Sequence, residues 1–174
     1  MKRALRFSFL FTLLLSCIGC DQATKSAARR LLARSDPIPM LNGFVRFEYA
    51  ENTGGFLSLG ANLPVAFRFV IFIVITGAVL AMMPLLAIKE WDKHPTGLVG
   101  LALITGGGLG NLIDRMMNDG RVVDFVSLGV GSLRTGIMNV ADVAVFAGAM
   151  LLLFGLIIKT PSSAARTLRH PDAR

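Results

Sequence analysis

Four long apolar runs constrain this chain more than any other feature of its sequence. They cover Ala4 to about Ala23, Val65 to Ile88, Thr96 to Ile113 and Val140 to Ile158. About 20 apolar residues in a helix cross the hydrocarbon core of a bilayer. The runs predict an integral membrane protein, mainly α, with four transmembrane helices. Composition agrees. Charged residues are 17% of the 174, against about 25% in a soluble domain, and the mean hydropathy is +0.63. The length fits one domain. A net charge of +7 and a pI near 10.3 would suit nucleic acid. The basic residues flank apolar runs instead of lining a soluble face, so membrane lipids with anionic head groups are the expected partner and nucleic acid is not.

The segments between the runs complete the outline. Lys2, Arg3 and Arg6 precede the uncharged stretch Phe7–Gly19, as in a signal peptide, and Cys17-Ile18-Gly19-Cys20 is close to the cleavage motif of a lipoprotein. Cys17 stands where that motif has an aliphatic residue, and three more long runs follow, so the first run is read as a span with Asp21 near its outer end. Cys17 and Cys20, three apart on one helix, are badly placed for a disulfide and belong to no zinc set; they are read as small packing residues. Lys25, Arg29, Arg30 and Arg34 make a basic, helical exit that Asp36-Pro37-Ile38-Pro39 ends. A short strand is predicted at Phe44–Tyr49, a turn at Asn52–Gly55 and a returning strand at Phe56–Leu59. This would be a small β platform on the membrane between helices 1 and 2. Pro84 is expected to kink or fray the second span. Trp91 fits an interfacial anchor, and His94 reads as plain loop. Gly106, Gly107, Gly108 and Gly110 would let helices approach closely; with no preceding strand or βαβ pattern they are no dinucleotide fingerprint. Asp114–Asn139 is a second polar loop with a turn at Asn118-Asp119-Gly120. Residues 1–158 are read as one membrane-embedded domain, and 159–174 as a basic, disordered tail. Four spans put both termini on one side, and Lys2, Arg3, Arg6, the 89–95 loop and the tail make that side cytoplasmic. The opposite loops are basic as well, so charge orients the chain only weakly.

Polar residues gather at one end of such a bundle: Asp21, Lys25, Asn52, Asn111, Asp114, Arg115, Asp124, Asn139 and Asp142. Asn111, Asp114 and Arg115 share a helical side, and Arg115 can fork onto a carboxylate or a lipid phosphate. Asp124 and Asp142 each border an apolar segment, where a carboxylate is costly. If the two meet, both cannot ionise comfortably and they share a proton. The charged one can draw a proton from water while the other donates to a scissile carbonyl oxygen, as in aspartic proteases. The plainer alternative is that Asp124 and Asp142 form surface salt bridges with Arg121, Arg115 or Arg134. Lys25 and Asp21, four apart, can pair with each other.

Five blocks, in order, resemble the bacterial lipoprotein signal peptidases, signal peptidase II. Asp21-Gln22-Ala23-Thr24-Lys25 is similar to D-Q-x-T-K, and Asn52-Thr53-Gly54-Gly55-Phe56 to N-x-G-x-x-F, with Phe56 one place early. The run from Gly107 to Arg115 carries the G-N-x-x-D-R of G-G-x-x-G-N-x-x-D-R, Val122-Val123-Asp124-Phe125 is similar to V-V-D-F, and Asn139-Val140-Ala141-Asp142, after Met138, to F-N-x-A-D. The likeness spans about residues 20 to 158. Met138 stands where the family usually has Phe, and Gly55 where it often has Ala, which puts packing in question and not the reaction. The resemblance implies an aspartic endopeptidase of the cytoplasmic membrane. It would remove the signal peptide from a prolipoprotein by cutting just before a cysteine that carries a diacylglyceryl group. Asp124 and Asp142 would be the catalytic dyad, with no metal or cofactor, at the periplasmic face. Asn52, Gly54, Asn111, Asp114, Arg115, Asn139 and Ala141 would hold substrate or support the dyad; Asp21 and Lys25 are read as structural. Globomycin-type cyclic peptides would inhibit it, and a monomer is expected.

Three other readings remain at this stage. A proton- or ion-coupled transporter would use membrane aspartates in a relay and would show flux without proteolysis. A non-enzymatic lipoprotein would carry lipid on Cys20. A structural membrane subunit would tolerate Asp-to-Asn changes.

Overall fold

A computed structural model describes residues 2–90 and 95–158; Trp91, His94 and the 159–174 tail lie outside the described residues. Helix α1 runs Lys2–Leu31, α2 Val65–Phe69, α3 Thr76–Glu90, α4 Pro95–Met117 and α5 Val140–Ile158. A π-helical segment, Val70–Ile75, joins α2 to α3 without a break. Among the described residues, three helical stretches are long and apolar enough to cross a membrane: one within α1, the continuous run Val65–Ile88, and α4. Val140–Gly155 is a shorter apolar helix. Phe7, Phe67, Phe146 and Phe154 are exposed, as side chains facing lipid would be. Pro84 sits inside α3 and does not end it. Neighbouring helices re-satisfy freed backbone groups in membrane helices.

The glycines act where helices meet. A Cβ at Gly100 would lie 2.8 Å from the Gly148 carbonyl oxygen, and one at Gly106 would lie 2.9 Å from Cys17 Cβ. Backbones therefore touch at α4–α5 and α4–α1, the small-residue packing that replaces the hydrophobic drive in lipid. Cys17 is a buried free thiol at that contact and Cys20 an exposed one.

The β platform is larger than expected and assembled differently. Four antiparallel strands lie in the order β1 (Ile38–Met40), β2 (Val45–Asn52), β3 (Val122–Val130), β4 (Leu133–Arg134). The main partner of β2 is thus β3, from the second polar segment, with Ala50 opposite Asp124 and Asn52 opposite Val122. The predicted returning strand at Phe56–Leu59 is wrong. Phe56–Ser58 is a 3-10 turn, because Ser58 takes φ +60° and Gly55 N–H donates to Leu59 O at 2.8 Å. Asp114–Asn139 is likewise not simply a loop, since it carries β3 and β4. α1 also continues ten residues past Asp21. Its far end packs Ala28 against Val123 and Phe125, with Phe47 and Tyr49 beside them. That cluster seats the sheet on the end of the bundle.

Candidate active site

At the junction of α1, α4, α5 and the sheet, eight polar or charged residues are buried: Asp21, Lys25, Asn52, Asp114, Arg115, Asp124, Ser127 and Asn139. Ser127 bonds Glu48 and Arg134 further along the sheet; the others form two linked clusters.

In the first, Lys25 is 1% exposed. Its ammonium lies 2.8 Å from Asp21 Oδ2 and 3.3 Å from Asp114 Oδ2, and it donates to Asn111 Oδ1 at 2.8 Å. The carboxylates have backbone donors as well. Ala141 N–H reaches Asp21 Oδ1 at 2.9 Å, and Val123 N–H reaches Asp114 Oδ2 at 3.0 Å. Asp21 thereby holds the first turn of α5, and Asp114 holds β3. Gly110 makes room, since a Cβ there would lie 2.6 Å from Asp21 Oδ2. Ala141 is 0% exposed and acts through its backbone. Gln22, which the sequence did not single out, donates to Asp114 Oδ1 at 3.2 Å and to Gly110 O at 3.1 Å.

The second cluster contains Asp124 on β3 and Asp142 in the first turn of α5. Asn139 joins them. Its side-chain amide donates to Asp124 Oδ1 at 2.6 Å, and its backbone N–H donates to Asp142 Oδ2 at 3.3 Å. Asp142 N–H donates back to Asn139 Oδ1 at 2.9 Å. This is the reciprocal logic of a capping box, so the helix start itself fixes where Asp142 lies. Asn52 and Asp124 share a face of the sheet, and Asn52 Nδ2 donates to Asp124 Oδ2 at 3.0 Å. Asn111 Nδ2 donates to Asp142 Oδ1 at 2.9 Å. Burial, and then the charge of Asp142, push the Asp124 carboxyl up to about 6; the hydrogen bonds from Asn52 and Asn139 pull the other way. A group that binds a proton more tightly when folded stabilises the fold more as pH falls.

The salt-bridge alternative fails for the named arginines. Arg121 Nη1 lies 2.7 Å from Glu51 Oε2, and Arg134 donates to Gly43 O at 2.9 Å and Ser127 O at 3.0 Å. Arg115 Nη2 donates to Gly54 O at 2.6 Å, which ties the turn after β2 to α4. Asn111 and Arg115 thus meet the second cluster or its roof, whereas Asp114 turns to the first. Asp142, Asn111 and Arg115 also line an apolar cavity of about 660 Å³ walled by Phe72, Leu80 and Phe146. Phe72 was missed because one more Phe in an apolar run carries no signal. Among the described residues no group of three or more His, Cys, Asp or Glu is placed to hold a metal ion.

Residues 13–158 match the family model described as signal peptidase (SPase) II. The chain belongs to that family. Signal peptidase II relatives include the lipoprotein signal peptidase of Xanthomonas campestris, 36% identical over 155 residues, with 86% of this chain and 90% of the relative covered. That of Pelotomaculum thermopropionicum is 31% identical over 158 residues, covering 91% and 97%. That of Desulforapulum autotrophicum is 33% identical over 140 residues, covering 80% and 86%. Two solved structures, each described as a bacterial membrane enzyme, share the fold. One has a TM-score of 0.78 at 22% identity, covering 96% of this chain and 95% of the other. The second has a TM-score of 0.75 at 24% identity, covering 88% and 95%.

Proposed function

We propose that this signal peptidase II chain removes the signal peptide from diacylglyceryl-modified prolipoproteins, with Asp124 and Asp142 as its catalytic dyad. The observation that carries the reading is that Asn139 bonds both carboxylates and that one of them, Asp142, lines an apolar cavity. The pair holds one proton. The ionised carboxylate takes a proton from a water molecule, whose oxygen attacks the carbonyl carbon preceding the lipidated cysteine. The other carboxyl donates its proton to the carbonyl oxygen. When the C–N bond breaks, the carboxyl that took the proton from water passes it to the leaving amine nitrogen, and the other carboxylate takes a proton back from a gem-diol hydroxyl, so the pair is left with one proton again. Arg115 holds Gly54, and with it the turn after Asn52, over this centre. The 660 Å³ cavity takes the acyl chains and the end of the signal helix, and globomycin-type cyclic peptides would compete for it.

Residues 1–158 act as one peptidase domain. With α1, Val65–Ile88, α4 and α5 as four spans, both termini would lie in the cytoplasm and the sheet at the periplasmic face of the bacterial cytoplasmic membrane. The proposed working state is a monomer. The transporter reading gains nothing, because both carboxylates lie at the polar end of the bundle. The deciding experiment is cleavage of a lipidated prolipoprotein by purified protein in detergent, beside Asp124→Asn and Asp142→Asn. Wild-type cleavage lost in both variants supports the dyad; full activity in either one sinks it.

A further inference from the structure

A second cavity, about 520 Å³, lies behind Phe72 and Arg115, between the start of α2 and the end of α4. Its polar lining is Arg68, Arg115 and Asp119, and its apolar wall includes Val65, Phe69 and Phe72. Neither arginine has a carboxylate within ion-pair distance among the described residues. Arg68 offers one long hydrogen bond, Nη1 to Ala61 O at 3.4 Å. Arg115 is 8% exposed, and its Cζ stands 5.3 Å from the Phe72 ring centroid. The Nε–H groups of both arginines are buried with no partner. Buried donors without acceptors are costly, and two guanidiniums on one cavity ask for an oxyanion that can take forked hydrogen bonds.

The rest of the cavity narrows the choice. Val65 and Phe69 are exposed, at 71% and 55%, so the apolar wall runs out onto the surface that faces lipid. Asp119 brings a negative charge to the same rim, which works against a free, doubly charged phosphate and favours an anion that carries its own cation. We infer that this cavity binds the head group of a phosphatidylethanolamine-type lipid. The phosphodiester lies on Arg68 and Arg115, the ammonium on Asp119, and the chains along Val65 and Phe69. The inference rests on the membrane placement of this end of the bundle given above, and it is independent of the peptidase assignment.

Full-length protein is stripped of lipid in detergent and titrated with phosphatidylethanolamine, phosphatidylglycerol, diacylglycerol or inorganic phosphate, with bound species counted by native mass spectrometry. One phosphatidylethanolamine per chain is expected to bind in preference to the others. Arg68→Gln should weaken it about tenfold, the equivalent of one charge-assisted hydrogen bond, and Arg68→Lys should weaken it less. Asp119→Asn should erase the preference for phosphatidylethanolamine over phosphatidylglycerol. Diacylglycerol binding equally well, inorganic phosphate displacing the lipid at equal concentration, or unchanged affinity in Arg68→Gln would each overturn the inference. Prolipoprotein cleavage, followed in the same preparations, should survive in Arg68→Gln. That separates loss of the lipid from loss of the fold or failure of the peptidase reading.

Discussion

The two carboxylate pairs in this polar core are held by different chemistry. Asp21 and Asp114 sit against a full positive charge, Lys25, with the Arg29 guanidinium 3.8 Å from Asp114 as well. Asp124 and Asp142 have no cation within ion-pair distance among the described residues; the bonds found for them come from the amides of Asn52, Asn111 and Asn139 and from one backbone N–H. A lysine beside a carboxylate ties it into an ion pair and spends it on structure. A neutral amide orients a carboxylate and still lets it gain and lose a proton. A structural pair and a reactive one thus share one polar core, linked through Asn111.

The largest test of that contrast is activity. Asp124→Asn and Asp142→Asn should each lower prolipoprotein cleavage by about 10²–10⁴-fold, the range for loss of a positioned acid or base, while thermal unfolding in detergent stays near wild type. Asp124→Asn also removes a buried charge, so its stability should no longer rise as pH falls through about 6. Unfolded variants, or active ones, would put Asp124 and Asp142 in the structural class.

Lys25→Met reverses the pattern. It leaves Asp21 and Asp114 buried without their main cation, and breaking a buried pair costs about 3–5 kcal/mol. Thermal unfolding should drop sharply, and Asp21→Asn added to Lys25→Met should recover part of the loss. A wild-type unfolding temperature in Lys25→Met would show that the first cluster does not stabilise the fold.

Asn111 bridges the clusters, with Lys25 on its oxygen and Asp142 on its nitrogen. The ammonium fixes which way the amide faces, so the donor must point at Asp142. Asn111→Ala should lower kcat about 10–150-fold, the equivalent of one hydrogen bond to a charged group, with a smaller change in KM. An effect confined to KM would move Asn111 from the dyad to substrate binding.

These pairings were legible in the sequence to different degrees. The Lys25–Asp21 contact follows from helical spacing, and α5 begins and ends where its apolar run does. Asp124 and Asp142 were found because each interrupts an apolar stretch. The strand carrying Asp124 was not found. Val122, Val123, Asp124 and Phe125 are all buried, so the two-residue alternation that marks a half-exposed strand is absent. Its partner β2 lies some seventy residues earlier, beyond the reach of any local signal. Phe56–Leu59 failed in the opposite way, since its residues suit a strand but Ser58 turns the chain back. The second cavity was not legible: Arg115 was read as able to fork onto a carboxylate or a lipid phosphate, but Arg68, near the start of the Val65–Ile88 run, lay unremarked.

The smallest effect concerns the proton itself. Asn52 donates to Asp124 Oδ2, which favours the ionised carboxylate and holds its pKa down against burial. Asn52→Ala removes that donor, so Asp124 should keep a proton to higher pH. If the reaction needs one proton on the pair, the alkaline limb of kcat/KM is the loss of that proton, and the limb should move to higher pH. Asn52→Asp pushes in the same direction by another route. A second charge beside Asp124 raises its proton affinity further while itself titrating, so the profile should broaden as well as shift. An alkaline limb that stays fixed or moves down in Asn52→Ala would mean that the pair does not own the titrating proton. Asn52 would then join Lys25 among the groups that only hold the fold.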